Sequence, residues 1–297
     1  MFETEGEEAY RKYQLGHIDD PFAPGVAFPF IKRLLYLNEL YPAEVPVEVV
    51  VLSRNDPDSG RRFFRSCQHH RLNITRGTFL SGKPPFQYIP AFNASLFLSA
   101  TNSDVVEAVS AGHPAGQVLP TQACDDETDR ELRIAFDFDG VVCDDEAEKV
   151  FRRENLESFQ QSEVLKASTP HNPGPLKDLI TKISFFQKLE AKKAKEQPGY
   201  KPALRIAIVT ARNAPANERL VTTLNAWQIT AAETFLLGGI EKKRVLDILK
   251  PHIFFDDQLG HLAAAATTVP SVHIPFGIAN CPAGLASELA KSSPVKN

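Results

Sequence analysis

The chain has 297 residues, 43% of them apolar, with 33 Lys and Arg against 37 Asp and Glu for a net charge of −4. That is ordinary globular composition, long enough for two lobes or one large α/β unit. The charge balance argues against coating a nucleic-acid polymer or a membrane surface, so an anionic small molecule would have to be held by local donors. No run of about 18 uncharged apolar residues occurs, and a membrane span is not expected. The acidic start, Met1-Phe-Glu-Thr-Glu-Gly-Glu-Glu8, lacks the basic-then-apolar order of a secretory signal. Four cysteines (Cys67, Cys124, Cys143, Cys281) with no C-x-x-C form no disulfide framework, which points to a reducing, cytoplasmic setting.

In chain order, Phe28 and Phe30 stand in a Pro-rich stretch beside Gly25, where they could wall a pocket or pin the loop to a core. Cys67-Gln-His69-His70 lacks partners at zinc spacing and reads as helix surface. Val49-Val-Val-Leu-Ser53, Thr78-Phe-Leu-Ser-Gly82 and Ser95-Leu-Phe-Leu-Ser99 echo, in order and rough spacing, Ile206–Thr210, Thr234–Gly238 and Ile253–Asp257. Residues 1–115 are therefore expected to form a degenerate Rossmann-like α/β lobe that carries Ser-Ala where the later copy carries Asp-Asp. The Pro-, Gly- and acid-rich stretch that follows marks a linker at 116–130.

Residues 131–290 read as a second α/β unit, and 291–297 as a polar tail. Three apolar runs end in polar residues: Arg133–Asp137, Leu204–Thr210 and His252–Asp257. Ser271–Ile274 is a further strand, and helices are expected at Asn217–Trp227 and Glu241–Leu249. Strands alternating with helices predict a parallel sheet with helices on both faces, which binds ligands at the carboxyl ends of its strands. The stretch 144–203 is too long for one crossover; with helices at Glu146–Phe159 and Leu176–Lys192, it is a candidate lid over that edge.

The chemistry concentrates at Asp137-Phe-Asp139-Gly-Val. Side chains alternate along a strand, so both carboxylates can face one point, where they repel unless a cation lies between them. Hard oxygen ligands of this kind suit Mg2+. A calcium loop is the competing reading, but it needs Gly at its sixth position and an oxygen side chain at its fifth, where Val141 stands. Thr210 then offers a hydroxyl at the end of the next strand, Lys242 opens a helix, and Asp256-Asp257 ends a third strand. A nucleophilic carboxylate, a second acid, a hydroxyl, a cation and metal-binding acids are what phosphoryl transfer through an aspartyl-phosphate requires. Cys143, four residues past Asp139, reads as a small buried hydrophobe.

In this order the motifs resemble those of the haloacid dehalogenase-like (HAD-like) phosphohydrolases. Longer stretches are similar to the cytosolic type I 5'-nucleotidases: Phe22-Ala-Pro-Gly-Val-Ala-Phe-Pro-Phe30, Thr210-Ala-Arg-Asn213, Pro251-His-Ile-Phe-Phe-Asp-Asp-Gln258 and His273-Ile-Pro-Phe-Gly277. The resemblance implies a Mg2+-dependent hydrolase of nucleoside 5'-monophosphates such as AMP or IMP. Asp137 would be the nucleophile, Asp139 the proton donor and then the base, and Thr210 and Lys242 the groups holding the phosphoryl oxygens. The ion would sit among Asp137, the Asp139 carbonyl and Asp257, with Asp256 orienting Lys242 or a metal-bound water. Arg212, Asn213 and Phe151 (or Phe159) would meet the nucleoside. A nucleoside phosphotransferase, a sugar-phosphate phosphatase and a non-catalytic nucleotide sensor remain as alternatives, and self-association stays open.

Overall fold

A computed structural model describes residues 2–44, 47–231 and 233–281, and the expected tail at 291–297 lies outside them. The chain divides into two compact units, Met1–Ala94 and Ser95–Asn297.

The first unit contains helix α1 (Phe2–Gly16, kinked at Gly6), α2 (Phe28–Leu40) and a short parallel pair, β1 (Val50–Ser53) and β2 (Arg76–Phe79), joined through α3 (Pro57–His69). Asp56 accepts a hydrogen bond from the Ser59 amide and Pro57 follows it, so α3 starts at a capped, φ-restricted turn. Leu35, Cys67 and Ile74 form a buried cluster in this unit, flanked by Ile31, Phe63 and Leu72. Phe30 is buried here, which favours its pinning role, while His70 Nε2 is bonded to the Phe22 carbonyl and Cys67 is buried.

The second unit holds β3 (Phe97–Ser99), α4 (Asn102–Ser110), β4 (Ala115–Val118), β5 (Leu132–Phe136), α5 (Glu146–Arg153), α6 (Leu156–Leu165) and α7 (Lys177–Glu196). After these come β6 (Leu204–Thr210), α8 (Asn217–Ala226), β7 (Glu233–Leu236), α9 (Lys242–Leu249), β8 (Ile253–Asp256), α10 (Leu259–Ala265) and β9 (Ser271–His273). Its seven strands run in the order β3-β4-β9-β8-β5-β6-β7, parallel except where β4 meets β9. This corrects the expected boundaries. The stretch 97–118 is built into the large sheet instead of closing an N-terminal lobe at 115, and the first unit has only two of the three echoed strands. The pairing of Val118 with Val272 likewise takes β4 into what had the composition of a linker.

Leu132, Ile134, Ala135 and Phe136 are fully buried, as a central parallel strand covered on both faces must be. Phe136 stacks on Phe255 of β8 with ring centroids 5.1 Å apart. The chain leaves β5 for β6 and β7 on one side and returns to β8 on the other, so a topological switch point falls between β5 and β8. The insertion is also smaller than expected. α7 buries Ile180, Ile183 and Phe186 and packs on β6 as the crossover helix, which leaves the pair α5–α6 ahead of it. The single helix expected over 146–159 is broken because Asn155 takes an extended conformation and its side chain caps α6 at the Ser158 amide, 2.9 Å away.

Candidate active site

Three neighbouring strands deliver the site. Asp137 and Asp139 follow β5, Thr210 ends β6, and Asp256-Asp257 closes β8. The Asp137 amide donates to the Phe255 carbonyl, continuing the sheet ladder one residue past β5, and Asp137 Oδ1 accepts the Phe138 amide at 2.7 Å. Its other oxygen meets Lys242 Nζ at 2.7 Å, and the same ammonium reaches Asp256 Oδ2 at 2.7 Å. Asp256 Oδ1 accepts the Gln258 amide at 2.8 Å, and His261 Nδ1 lies 3.2 Å from Oδ2. A lysine in the first turn of a helix opposes the helix dipole; here the cost is offset because the ammonium bridges two buried carboxylates.

Asp257 is buried, and its Oδ1 has no hydrogen-bond partner among the described residues. Asn280 Nδ2 holds its peptide carbonyl at 2.9 Å. Gly140 lies beneath the carboxylate with φ +73°, and a Cβ there would stand 2.5 Å from Asp257 Oδ2. Burial first, then the charges of Asp137 and Asp256, push Asp257 up to about 9. Asp137 is pushed up to about 7 by burial, against the pull of Lys242. Lys242 is itself held above the ordinary lysine range, because Asp137 and Asp256 outweigh its burial. Carboxylates crowded beyond what one ammonium neutralises, one with an unsatisfied buried oxygen, are a donor set suited to a hard divalent cation.

Thr210 is buried, and its Oγ1 accepts the Arg212 amide at 3.2 Å; it caps no helix, since α8 begins after Ala216. Arg212 departs from expectation. Its side chain is 2% exposed and forks onto Asp139, Nε to Oδ2 and Nη2 to Oδ1, both at 2.7 Å. Nη1 donates to Glu163 Oε2 and to the Ala216 carbonyl, and Nη2 also faces His171 Nε2 at 3.1 Å. Four of its five N–H groups are taken by protein oxygens and the fifth points at the buried His171 ring, so none is left for a nucleoside. Burial pushes Asp139 up, but the charge and hydrogen bonds of Arg212 outweigh it and hold the carboxyl below its usual range. Asn213 is exposed and packs against Gly238. Phe151 is 46% exposed on α5, whereas Phe159 lies 5.5 Å from the Arg212 guanidinium.

Sequence reasoning missed the polar cluster behind Asp139. Glu163, 1% exposed, bonds Arg219 Nη1 at 2.8 Å through one oxygen and meets Arg212 and His171 through the other. Arg219 continues to Glu146 Oε2 at 2.9 Å, and Lys166 reaches the other Glu146 oxygen at 2.6 Å. The Asn155-x-x-Ser158 capping pattern was the available signal that a separate helix carries Glu163 inward.

Comparison with known proteins places these residues in context. A family model described as 5'-nucleotidase matches residues 1–281. Over 271 residues the chain is 34% identical to the Homo sapiens protein cytosolic 5'-nucleotidase 1B, a match covering 89% of this chain and 44% of the relative. The chain thus spans less than half the length of that relative. No solved structure matches it.

Proposed function

The chain belongs to the 5'-nucleotidase family, and on that premise we propose that it hydrolyses nucleoside 5'-monophosphates of the AMP or IMP kind through a covalent phosphoryl intermediate on Asp137. The observation that carries this reading is the Lys242 ammonium bridging Asp137 and Asp256, 2.7 Å from each, at the carboxyl edge where β5 and β8 part.

An oxygen of Asp137 attacks phosphorus in line, and the bond from phosphorus to the 5'-oxygen breaks. Asp139 donates a proton to that oxygen as the nucleoside leaves. It then accepts a proton from the water that attacks the aspartyl-phosphate, releasing inorganic phosphate and restoring both carboxyl groups. The Arg212 fork favours the ionised form of Asp139, the form needed for the second step; the first requires Asp139 to turn from the fork and carry a proton. Lys242 and Thr210 hold phosphoryl oxygens, and Asp256 keeps the ammonium aimed at the reacting group. Asp137, the Asp139 carbonyl and Asp257 would hold Mg2+, which when bound would supply charge neutralisation at the phosphoryl group.

The helix pair α5–α6 acts as the lid, with Phe151 and Phe159 offering faces for a base to stack on. Among the described residues no helix is long and apolar enough to cross a membrane; the cytoplasmic location is proposed on the cysteine usage. A panel of nucleoside monophosphates and sugar phosphates, assayed for phosphate release with Mg2+ and with EDTA, tests the proposal. Mg2+-dependent release confined to the nucleotides supports it, and release from sugar phosphates alone overturns the substrate class. An added nucleoside that captures the phosphoryl group would show transferase activity instead.

A further inference from the structure

We propose that Cys143, Asp144 and His171 form a second metal site, one for a transition ion such as Zn2+, with ligands separate from the carboxylate cluster at Asp137. The Cys143 thiol, an Asp144 carboxylate oxygen and a His171 ring nitrogen lie within 4.8 Å of one another, and His171 Nδ1 is 3.9 Å from Asp144 Oδ1. Tetrahedral zinc, with bonds of about 2.3 Å to sulfur and about 2.1 Å to nitrogen and oxygen, sets neighbouring ligands roughly 3.3–3.6 Å apart. Side-chain rotation of about 1 Å closes the difference.

The second observation is the state of the imidazole. The His171 side chain is fully buried, and Nδ1 has no hydrogen-bond partner among the described residues. Its other nitrogen, Nε2, lies 3.1 Å from Glu163 Oε2. Assigning the ring proton to that contact leaves the Nδ1 lone pair free, 3.9 Å from Asp144 Oδ1, as in the carboxylate–imidazole–metal arrangement that orients histidine ligands.

The backbone holds the ligands in place. The Asp144 amide donates to the Asn172 carbonyl at 3.0 Å, and the Gly174 amide donates to the Val142 carbonyl at 3.0 Å. A Cβ at Gly174 would stand 2.3 Å from the Cys143 carbonyl, so the two segments approach closely only because Gly174 has no side chain. The mixed sulfur, nitrogen and oxygen set favours zinc, whereas Mg2+ prefers the all-oxygen cluster. Asp144, 19% exposed, is the ligand that reaches solvent and gives the ion its entry.

On binding, the S–H bond breaks, a zinc–sulfur bond forms and one proton leaves to solvent. The ligands then carry thiolate and carboxylate charge against the dication, so the site becomes neutral. The Cys143 thiol lies 3.7 Å from Asp139 Oδ1, so the ion would fix the loop that carries Asp139 and slow turnover. That consequence rests on the phosphohydrolase reading; the binding itself does not.

The test is a Co2+ titration of the Mg2+-saturated protein, read in the near ultraviolet for a thiolate-to-cobalt band. The expected result is a band that saturates at one equivalent, disappears when Zn2+ is added and is absent from Cys143→Ser. Asp144→Asn, whose side chain is partly exposed, should weaken cobalt binding by about tenfold or more, so the proposal can still fail if the serine variant does not fold. No thiolate band in the unaltered protein, or an unchanged band in Cys143→Ser, overturns the site. In phosphate-release assays zinc should inhibit the unaltered protein at a concentration at least about tenfold below that needed for Cys143→Ser. Equal sensitivity overturns the coupling to Asp139. Absence of all phosphate release would instead count against the hydrolase reading, with the cobalt band still deciding the site.

Discussion

Arg212 grips Asp139 through two parallel hydrogen bonds of 2.7 Å, and the remaining face of the same guanidinium is held by Glu163 from α6. The group proposed to move the proton is therefore oriented from α6 through one planar cation. Lysine keeps the charge but cannot reproduce the fork. Arg212→Lys is expected to lower kcat by about a hundredfold with KM changed far less, because a misplaced Asp139 affects the proton-transfer steps more than binding. Arg212→Ala should also cost about 3 kcal/mol of stability in chemical denaturation, since it takes the fork from half-buried Asp139 and leaves buried Glu163 with only Arg219 and His171. A kcat for the lysine variant equal to that of the unaltered protein would remove Arg212 from the mechanism.

Asp137→Asn preserves shape and leaves Lys242 paired with Asp256, so the fold should survive with an unchanged circular dichroism spectrum. Loss of the nucleophile should raise the barrier by about 4 kcal/mol or more, a thousandfold or greater fall in kcat. Retention of a tenth of the activity would mean that another residue attacks.

The strands that matter were readable because each is an apolar run stopped by polar residues. Leu204–Thr210 has the expected bounds, and β5 and β8 differ only by a residue at their ends. Asp137, Thr210 and Asp256 could be placed at the carboxyl edge of the sheet for the same reason, as polar residues closing apolar runs, whereas Lys242 opens helix α9 and was singled out by its order among them. Glu163 and Arg219 were not, since a charged residue on a short helix looks like a solvated face until tertiary packing buries it. Arg212 was assigned to substrate because sequence shows that a cation follows Thr210 at the end of a strand, not which carboxylate it faces. The first unit was misjudged because three-residue β3 echoes a later strand in composition, while its pairing is set by contacts far along the chain.

Glu163 should make the protein sensitive to acid. Its burial alone would raise the carboxyl, but the hydrogen bond from His171 and the charge of Arg212 outweigh it and bring it down from 4.5 to about 2. A carboxylate lowered on folding contributes stability that is complete above its unfolded value and is lost as pH falls through the folded one. The contribution here is on the order of 3 kcal/mol and disappears between about pH 4.5 and pH 2. Glu163→Gln should therefore be less stable than the unaltered protein at pH 7, and the gap should shrink across that window in urea unfolding curves. A gap that stays constant down to pH 2 would contradict the ion-pair account.

Mg2+ should stabilise the fold measurably, because it relieves repulsion among Asp137, Asp256 and Asp257 and satisfies the orphaned Asp257 oxygen. In EDTA, Asp257→Asn is expected to melt at a higher temperature than the unaltered protein, since it removes one of the crowded charges. Adding Mg2+ should raise the melting temperature of the unaltered protein and leave that of the variant nearly unchanged. An equal rise in both would place the ion elsewhere.

Gly140 is where backbone conformation meets the proposed metal site. Its φ of +73° is costly for any residue with a Cβ, and that Cβ would press on Asp257 Oδ2 at 2.5 Å. Strain alone can be separated from displacement of the carboxylate by comparison with Gly199, which has φ +88° and no neighbour within 4 Å of an added Cβ. Both alanine variants should lose about 1 kcal/mol of stability to the left-handed backbone. Only Gly140→Ala should raise the Mg2+ concentration needed for half-maximal phosphate release, by about tenfold or more, because only there must the carboxylate proposed to hold the ion move. Equal Mg2+ dependence in the two variants would show that Asp257 tolerates the displacement and does not hold the ion.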